Sequence, residues 1–248
     1  MDDGRRAFVK IRHAAPADFF AAEARGLAAL AAARTLRVPG VLELARTAIA
    51  LEDLGSGRAG VAQWHDAGRR LARVHAAPAP TFGFCGGGYC GDSFQDNTTG
   101  DDGFTFFSER RLLPQAQRAR DAGLLDPLAM RRVEALCNRL RELLPERPPV
   151  LIHGDLWIGN LHACDGGELA LIDGGAVHHG WAECDLAMLS LFGEPAPAFF
   201  AAYEAEAAIG PDWRERAPLL NLYHLLNHLN LFGAGYRGSV LSVLERFA

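Results

Sequence analysis

Two short apolar segments, each followed by an aspartate or ending in one, constrain the fold more than any other feature of the sequence. Residues 149–153 (PVLIH) lead into Asp155, and residues 168–173 (ELALID) end on Asp173, 18 positions after Asp155. Short apolar runs of this length, bounded by glycine, are typical of buried β-strands. The interval accommodates a loop, a turn and a short returning strand, so we expect the two carboxylates to converge.

The residues around these aspartates form a pattern that suits phosphoryl transfer. His153, Asp155 and Asn160 form the pattern H-x-D-x-x-x-x-N, and Asp173 precedes a glycine. Transfer from ATP needs one carboxylate that accepts the proton of the acceptor hydroxyl, and a carboxylate and an amide oxygen that hold Mg²⁺ against the phosphates. Asp155 suits the first role, and Asn160 and Asp173 suit the second, at the spacing of a kinase. Either motif alone could simply cap a turn, but both in order favour catalysis.

A lysine and a glutamate near the N-terminus fit the same chemistry. Lys10 lies in a strand predicted at residues 6–12, and Glu23 lies in a helix predicted at residues 17–35. A kinase uses a strand lysine to hold the α- and β-phosphates and a helix glutamate to orient that lysine. The alternative is an exposed lysine and a solvated glutamate. The two downstream aspartates favour the ion pair.

The chain predicts a small strand-rich front followed by a helical body. A turn is predicted at residues 2–4, further strands at residues 41–44 and 47–52, and a hinge or linker between the lobes at the glycine-rich residues 54–60. Residues 1–54 are therefore assigned to an N-terminal lobe and residues 55–248 to a C-terminal lobe. A long glycine-rich loop is predicted at 77–103, and further helices are predicted at 61–76, 104–120, 126–144, 183–192, 197–208, 214–232 and 238–247.

Charge and composition argue against several other classes of protein. The net charge is −5 at pH 7 without a block of basic residues, which disfavours nucleic acid as a partner. No apolar run approaches the roughly 18 residues that a membrane span needs. The five cysteines include no C-x-x-C pair, which favours reduced thiols in a cytoplasm. These features predict a cytoplasmic protein without a nucleic-acid or membrane partner.

Seven segments together resemble the fructosamine kinase (ketosamine-3-kinase) family, whose members are related to the aminoglycoside phosphotransferases. The resemblance extends over nearly the whole chain, and HGDLW and YHLLNHLNLFG are its most discriminating parts. It implies an α+β, protein-kinase-like fold with two lobes, a truncated N-terminal β lobe and a mainly helical C-terminal lobe. The segments are FVK at 8–10, EARGLAAL at 23–30, FGF at 82–84, FFSERRLLPQ at 106–115, HGDLWIGN at 153–160, ECDLAMLSLFG at 183–193 and LYHLLNHLNLFGAGY at 222–236.

The resemblance implies a reaction and a role for each matched residue. The family transfers the γ-phosphate of ATP to the 3-hydroxyl of a ketosamine, a fructosamine- or ribulosamine-type glycation adduct that is a small molecule or sits on a protein amine. The phosphorylated adduct is unstable and releases the amine. By resemblance, Asp155 is the catalytic base, Asn160 and Asp173 are the Mg²⁺ ligands, and Lys10 and Glu23 anchor the phosphates.

The nucleotide base and the acceptor are also assigned by resemblance. The hinge at residues 50–54, which includes Glu52, Asp53 and Leu54, is expected to hold adenine through backbone groups. Trp157, beside the proposed base, is expected to stack on the sugar of the acceptor.

Two histidines of the C-terminal segment are assigned to the core or to the acceptor side. His224 and His228 are four positions apart on a predicted helix, as in zinc hydrolases. The glutamate of the H-E-x-x-H motif is replaced by Leu225, so a zinc hydrolase lacks its base. Asp185, at the start of the next helix after the metal motif, is expected to brace the segment that carries Asp155.

Departures from the family pattern leave two alternatives open. Relatives have two strands and a glycine-rich turn over the ATP phosphates before the FVK strand, whereas here Lys10 is the tenth residue of the sequence. Gly174-Gly175 stand where the family usually has Pro-Ala, and His178-His179 stand where relatives often have two tyrosines. One alternative is a phosphotransferase for aminoglycoside- or choline-like acceptors. The other is an inactive pseudokinase.

Overall fold

The computed structural model describes residues 6–248 and begins with a three-stranded antiparallel sheet. Strands β1 (Ala7–Ile11), β2 (Val41–Ala45) and β3 (Ala48–Glu52) are arranged in the order β1-β3-β2. Helix α1 (Phe19–Ala32) lies between β1 and β2 in the chain and packs on the sheet. The first strands and helix predicted from the sequence are thus confirmed, with ends that differ by at most three residues.

The sheet and α1 share a small core of their own. Ile49 and Leu51 of β3 are buried against Phe20 and Leu27 of α1. The alternation of side chains along a strand explains this burial on the central strand, because every second residue of β3 faces the helix. The edge strand β1 stays open to solvent, with its apolar side chains largely exposed.

The rest of the described chain is mostly helical and surrounds a large second core. Its helices are α2 (Val61–Val74), α3 (Gly103–Phe107), α4 (Leu113–Asp121), α5 (Pro127–Asn138), α6 (Leu140–Leu143), α7 (Ala182–Leu189), α8 (Pro197–Ala207), α9 (Trp213–Leu220), α10 (Leu222–Phe232) and α11 (Arg237–Phe247). None of the helices within residues 6–248 has both the length and the apolar character that crossing a bilayer requires. The division at residues 54 and 55 stays a prediction.

Three two-stranded antiparallel sheets interrupt these helices and carry the candidate site. The six strands are β4 (Gly88–Cys90), β5 (Ser93–Gln95), β6 (Val150–Ile152), β7 (Leu161–Ala163), β8 (Leu169–Leu171) and β9 (His178–Gly180). They pair as β4 with β5, β6 with β9 and β7 with β8. The sequence predicts β6 and β8, and the long glycine-rich loop predicted over 77–103 contains a hairpin of β4 and β5 that the sequence did not predict. The turn predicted at residues 2–4 lies outside the described residues.

Three helices predicted as continuous are interrupted. The segment 104–120 contains a π-helical turn at Ser108–Leu112, the segment 126–144 breaks at Arg139, and 214–232 breaks at Asn221, three residues after Pro218. A hydrophobic pattern with a period near 3.6 does not reveal a single extra residue or a one-residue break.

The π-helical turn directs a buried arginine toward the β4–β5 hairpin. Arg111 donates hydrogen bonds to the Asp96 carbonyl at 2.7 Å and to Asn97 Oδ1 at 2.6 Å, just after β5. Its guanidinium lies over the ring of Phe106 at 4.6 Å from the centroid. Burial lowers the pKa of Arg111 to about 10, so the group remains charged at neutral pH.

Candidate active site

The two predicted aspartates lie on two loops that face one cleft. Asp155 belongs to the Asp155 loop (residues 153–160), which follows β6, and Asp173 belongs to the Asp173 loop (residues 172–176), which follows β8. Both carboxylates line a cleft, here called the main cleft, together with Lys10 and Glu23. The convergence expected from the sequence is therefore present.

The predicted ion pair between the strand lysine and the helix glutamate is present. Lys10 Nζ lies 2.6 Å from Glu23 Oε1 and 3.3 Å from Asp173 Oδ1. Burial by itself lowers the pKa of Lys10, but the nearby carboxylates of Asp173 and Glu23 outweigh it and raise that pKa above 10.5. Lys10 is therefore a fixed positive charge at the rim of the main cleft.

A buried carboxylate fixes the start of the Asp155 loop. Asp185 of α7 accepts hydrogen bonds from the backbone N–H groups of His153 at 2.7 Å and Gly154 at 2.9 Å. His75 Nε2 lies 3.3 Å from the same carboxylate, and His75 Nδ1 lies within hydrogen-bond distance of the Tyr203 hydroxyl at 2.8 Å. Burial alone raises the pKa of Asp185, but these hydrogen bonds and nearby histidines lower it below 3.8. The bracing role expected for Asp185 is confirmed.

Hydrogen bonds also join the two loops to each other. His153 Nε2 donates to the Ile172 carbonyl at 2.7 Å, and the Ile172 N–H donates to the Asn160 carbonyl at 3.2 Å. Asn160 Nδ2 donates to the Asp155 carbonyl at 2.8 Å. Within residues 6–248, Asn160 Oδ1 accepts no hydrogen bond, so an oxygen ligand is available on the same side chain. The two loops therefore form a single rigid unit.

Burial gives Asp155 the properties of a proton acceptor. Its side chain is 22% exposed, and burial raises the pKa of its carboxyl to about 6, with a further contribution from the negative charges of Asp173 and Asp185. A general base is most effective when its pKa lies close to the working pH. The environment of Asp155 thus favours proton transfer near neutrality.

The Asp173 loop is seated directly on α1. Asp173 is a non-glycine residue in the left-handed region, with φ of 64°, and its side chain is 50% exposed. A Cβ added to Gly26 of α1 would overlap the Gly174 carbonyl and lie 2.9 Å from Val177 Cβ. This close approach holds the exposed carboxylate at the cleft. Carboxylate and amide oxygens such as those of Asp173 and Asn160 are the hard ligands that Mg²⁺ prefers, so these residues fit the ion.

A pocket beside the main cleft is lined by the predicted hinge. Leu54 C=O accepts from Asp165 N at 3.1 Å, whereas the Leu54 N–H has no hydrogen-bond partner within residues 6–248. The side chain of Glu52 pairs with Arg37 at 2.7 Å, and that of Asp53 accepts from the Gly55 N–H at 2.8 Å. One backbone donor is therefore open to a nucleotide base. Apolar Phe8, Pro39, Leu51, Leu54 and Ile172 line the same pocket.

Trp157 lies on the Asp155 loop but not in the main cleft. Its side chain is 41% exposed, and its ring packs over Gly159, where an added Cβ would overlap it. Trp157 is not among the described residues that line the main cleft. Stacking on an acceptor sugar stays a prediction, and it would have to occur at the outer edge of the site.

The two histidines of α10 occupy different surroundings. His224 is buried behind Asp155, with its Nδ1 3.8 Å from Asp155 Oδ1 and 3.9 Å from Cys90 Sγ. His228 lies one turn further along and stacks on Phe192, with ring centroids 4.8 Å apart. Only His224 therefore contacts the proposed base, and it does so from the buried side.

Sequence reasoning missed part of the cleft wall. Tyr89 of the β4–β5 hairpin lines the main cleft and donates its hydroxyl to Asp18 Oδ1 at 2.6 Å. Arg12 lies opposite, paired with Asp92 at 2.7 Å and placed over the ring of Phe19 at 4.5 Å. The excessive length of the loop predicted at 77–103 was the one available signal for this contribution.

Comparisons of the sequence with known proteins agree with one another. A family model described as fructosamine kinase matches residues 1–248. A probable ketoamine kinase of Synechocystis sp. is 35% identical over 255 residues, which cover 99% of this chain and 84% of the relative. The chloroplastic protein-ribulosamine 3-kinase of Arabidopsis thaliana is 34% identical over 253 residues, which cover 97% of this chain and 75% of the relative.

Comparisons with solved structures give the same picture. The crystal structure assigned to a fructosamine-3-kinase of Thermobifida fusca YX-ER1 is 38% identical with a TM-score of 0.90, and the match covers 98% of this chain and 85% of that one. A more distant aminoglycoside phosphotransferase is 17% identical with a TM-score of 0.63, over 99% of this chain and 88% of its own. The latter likeness concerns the fold alone, and it confirms the predicted α+β, protein-kinase-like class.

Proposed function

Because the chain belongs to the fructosamine kinase family and is thus a phosphotransferase, we propose that it transfers the γ-phosphate of ATP to the 3-hydroxyl of a ketosamine. The acceptor is a fructosamine- or ribulosamine-type adduct on a free or protein-bound amine. The observation that carries the proposal is the convergence of Asp155, Asp173 and the Lys10–Glu23 pair on one cleft. The presence of the proposed base, both candidate Mg²⁺ ligands and the lysine–glutamate pair favours an active kinase over a pseudokinase, whose main support is the missing glycine-rich turn.

The proposed nucleotide site uses both the cleft and the pocket beside it. Adenine lies in the hinge pocket, where the Leu54 N–H is an available donor. Lys10 holds the α- and β-phosphates, and Glu23 keeps its ammonium group in place. Asp173 and Asn160 hold Mg²⁺, which neutralises charge on the phosphates.

The proposed reaction is an in-line displacement at the γ-phosphorus. The 3-hydroxyl donates its proton to Asp155 while its oxygen forms the new bond to phosphorus, and the bond to the β,γ-bridging oxygen breaks. ADP leaves, and Asp155 later releases the proton to solvent. Phosphate is a far better leaving group than hydroxide, so the enaminol form of the product loses phosphate from C3 and becomes an imine. Hydrolysis of this imine by water breaks the C–N bond and frees the amine. Positioning and charge neutralisation supply most of the rate.

An assay with matched acceptors tests the proposal. ADP formation is measured with ribulose- or fructose-modified lysine and, separately, with an aminoglycoside and with choline, at saturating Mg-ATP. We expect turnover only with the ketosamines, and ³¹P NMR of the product should place the phosphate on the 3-hydroxyl. Turnover with the aminoglycoside or choline alone would contradict the acceptor class. Binding of Mg-ATP without turnover of any acceptor would contradict the proposed activity.

A further inference from the structure

A thiol, an imidazole and a carboxylate meet on the buried side of the proposed base. Cys90 Sγ, His224 Nδ1 and a carboxylate oxygen of Asp155 all lie within 4.8 Å of one another. Cys90 belongs to β4, Asp155 to the loop after β6, and His224 to α10. The cluster is therefore formed by segments that are far apart in the sequence, and no local sequence motif predicts it.

The donor atoms and their spacing suit zinc. One sulfur, one nitrogen and one oxygen ligand favour Zn²⁺ over Mg²⁺, which takes oxygen ligands. Tetrahedral zinc with bonds of about 2.0–2.3 Å separates neighbouring ligand atoms by about 3.3–3.6 Å. The distances from His224 Nδ1 are 3.9 Å to Cys90 Sγ and 3.8 Å to Asp155 Oδ1, which exceed these values by a few tenths of an ångström, and the sulfur lies within 4.8 Å of a carboxylate oxygen of Asp155. Binding a metal therefore requires the three side chains to move toward a common point.

The surroundings of the cluster support a metal-bound thiolate. Asn227 Nδ2 donates a hydrogen bond to Cys90 Sγ at 3.3 Å, and hydrogen bonds of this kind stabilise a ligating sulfur. Burial lowers the pKa of His224 to about 3, so its imidazole is neutral at pH 7 and offers a lone pair. Burial and the negative charge of Asp155 raise the pKa of the Cys90 thiol well above its usual value, so the thiol keeps its proton until a metal binds. The thiol proton would be released to solvent when the metal binds.

We propose that Cys90, Asp155 and His224 form an inhibitory zinc site. Zn²⁺ enters through Asp155, the one partly exposed member of the three, and binds the carboxylate oxygen that phosphoryl transfer needs as its base. The inhibition rests on the proposed function, whereas the binding of zinc does not. The site is distinct from the proposed Mg²⁺ ligands, Asn160 and Asp173, which offer oxygen atoms only.

Cobalt titration tests the site without any enzyme assay. Co²⁺ replaces Zn²⁺ at such sites, and a bound thiolate gives an intense cobalt charge-transfer absorption in the near ultraviolet. We expect one equivalent to bind the full chain with this absorption. Cys90→Ser should abolish the absorption band. His224→Gln should weaken cobalt binding by at least roughly 10–100-fold, the usual cost of changing a residue that supports a metal ligand. The control Cys85→Ser, at an exposed thiol, should leave the band and the cobalt affinity unchanged. A missing band, or a band that survives Cys90→Ser, overturns the site.

Inhibition is tested with ketosamine turnover in saturating Mg²⁺. The ratio of the rates with and without Zn²⁺ should fall for the wild-type chain and for Cys85→Ser, and stay near one for Cys90→Ser. Equal zinc inhibition of the wild-type chain and Cys90→Ser overturns the inhibitory role, because zinc would then act at the magnesium ligands. If the chain shows no ketosamine turnover but still gives the Cys90-dependent cobalt band, the zinc site is supported and the proposed function is contradicted.

Discussion

The Asp155 loop and the Asp173 loop follow similar strands but are fixed in opposite ways. The Asp155 loop is held by a buried side chain, because Asp185 binds the N–H groups of His153 and Gly154. The Asp173 loop is held by backbone packing, because Gly174 lies against Gly26 of α1. One loop therefore depends on a charged network and the other on the absence of a side chain.

The difference matches what each carboxylate is proposed to do. Asp155 is largely buried, and burial raises its pKa to about 6, as a proton acceptor requires. Asp173 is half exposed and lies beside Lys10, where a cation and phosphates can reach it. The two aspartates thus hold similar positions after apolar strands, but they differ in exposure and in proposed role because different elements cover them.

The largest effect is expected from removing the proton acceptor. Asp155→Asn keeps the shape of the side chain but cannot accept the proton, so kcat should fall by about 10²–10⁴-fold, the usual contribution of general acid–base catalysis. KM for ATP should change little, because Lys10 and Asp173 hold the nucleotide. Asp101→Asn, at an exposed position, is the control. A loss of less than tenfold would show that Asp155 does not act as the base.

The next effect is expected at the buried carboxylate that braces the Asp155 loop. Asp185→Asn replaces an oxygen acceptor by an NH₂ group facing a backbone N–H, which should lower the free energy of unfolding by about 3 kcal/mol. Urea denaturation measures the change. Glu142→Gln, at a side chain that is 67% exposed in a pair with Arg139, should cost no more than about 1 kcal/mol. Equal losses in the two variants would contradict the bracing role.

A smaller effect is expected at the packed glycine of α1. Gly26→Ala forces the Asp173 loop away from the helix, and overpacking of this kind costs about 1–3 kcal/mol. We expect lower thermal stability and a higher KM for Mg-ATP. The control is Gly238→Ala in α11, where an added Cβ meets nothing within 4 Å and alanine should stabilise the helix. Gly26→Ala with unchanged stability and KM would show that the close approach does not matter.

The smallest effect is expected from pH. Asp155 accepts a proton only when it is ionised, so protonation below its pKa of about 6 should lower kcat/KM by about tenfold per pH unit, with a plateau above. The decrease is measured by following kcat/KM between about pH 5 and pH 8 with the ionic strength held constant. A profile that stays flat down to about pH 5 would show that the pKa remains near the ordinary aspartate value of 3.8 and that burial does not tune the group.

The sequence predicts the parts of the molecule that depend on local pattern. The first strands, α1 and the two catalytic segments are found because alternation, helical periodicity and the H-x-D-x-x-x-x-N spacing are local signals. Strands β4, β5, β7 and β9 contain no continuous apolar run and leave no pattern, whereas β6 and β8 are equally short but lie in longer apolar segments. Cys90 and Tyr89 reach the site through that hairpin, and only the tertiary fold places them beside Asp155.

The π-helical turn at Ser108–Leu112 carries an evolutionary consequence. Such a turn is an α-helix with one residue inserted. The insertion rotates Arg111 inward, where it donates hydrogen bonds to the Asp96 carbonyl and to Asn97 just after β5. The same hairpin supplies Tyr89 and Cys90. Shortening the helix by one residue would swing the guanidinium by about 100° and release the hairpin. A one-residue deletion in this helix would therefore displace the wall of the main cleft that carries Tyr89 while leaving every proposed catalytic residue in the sequence.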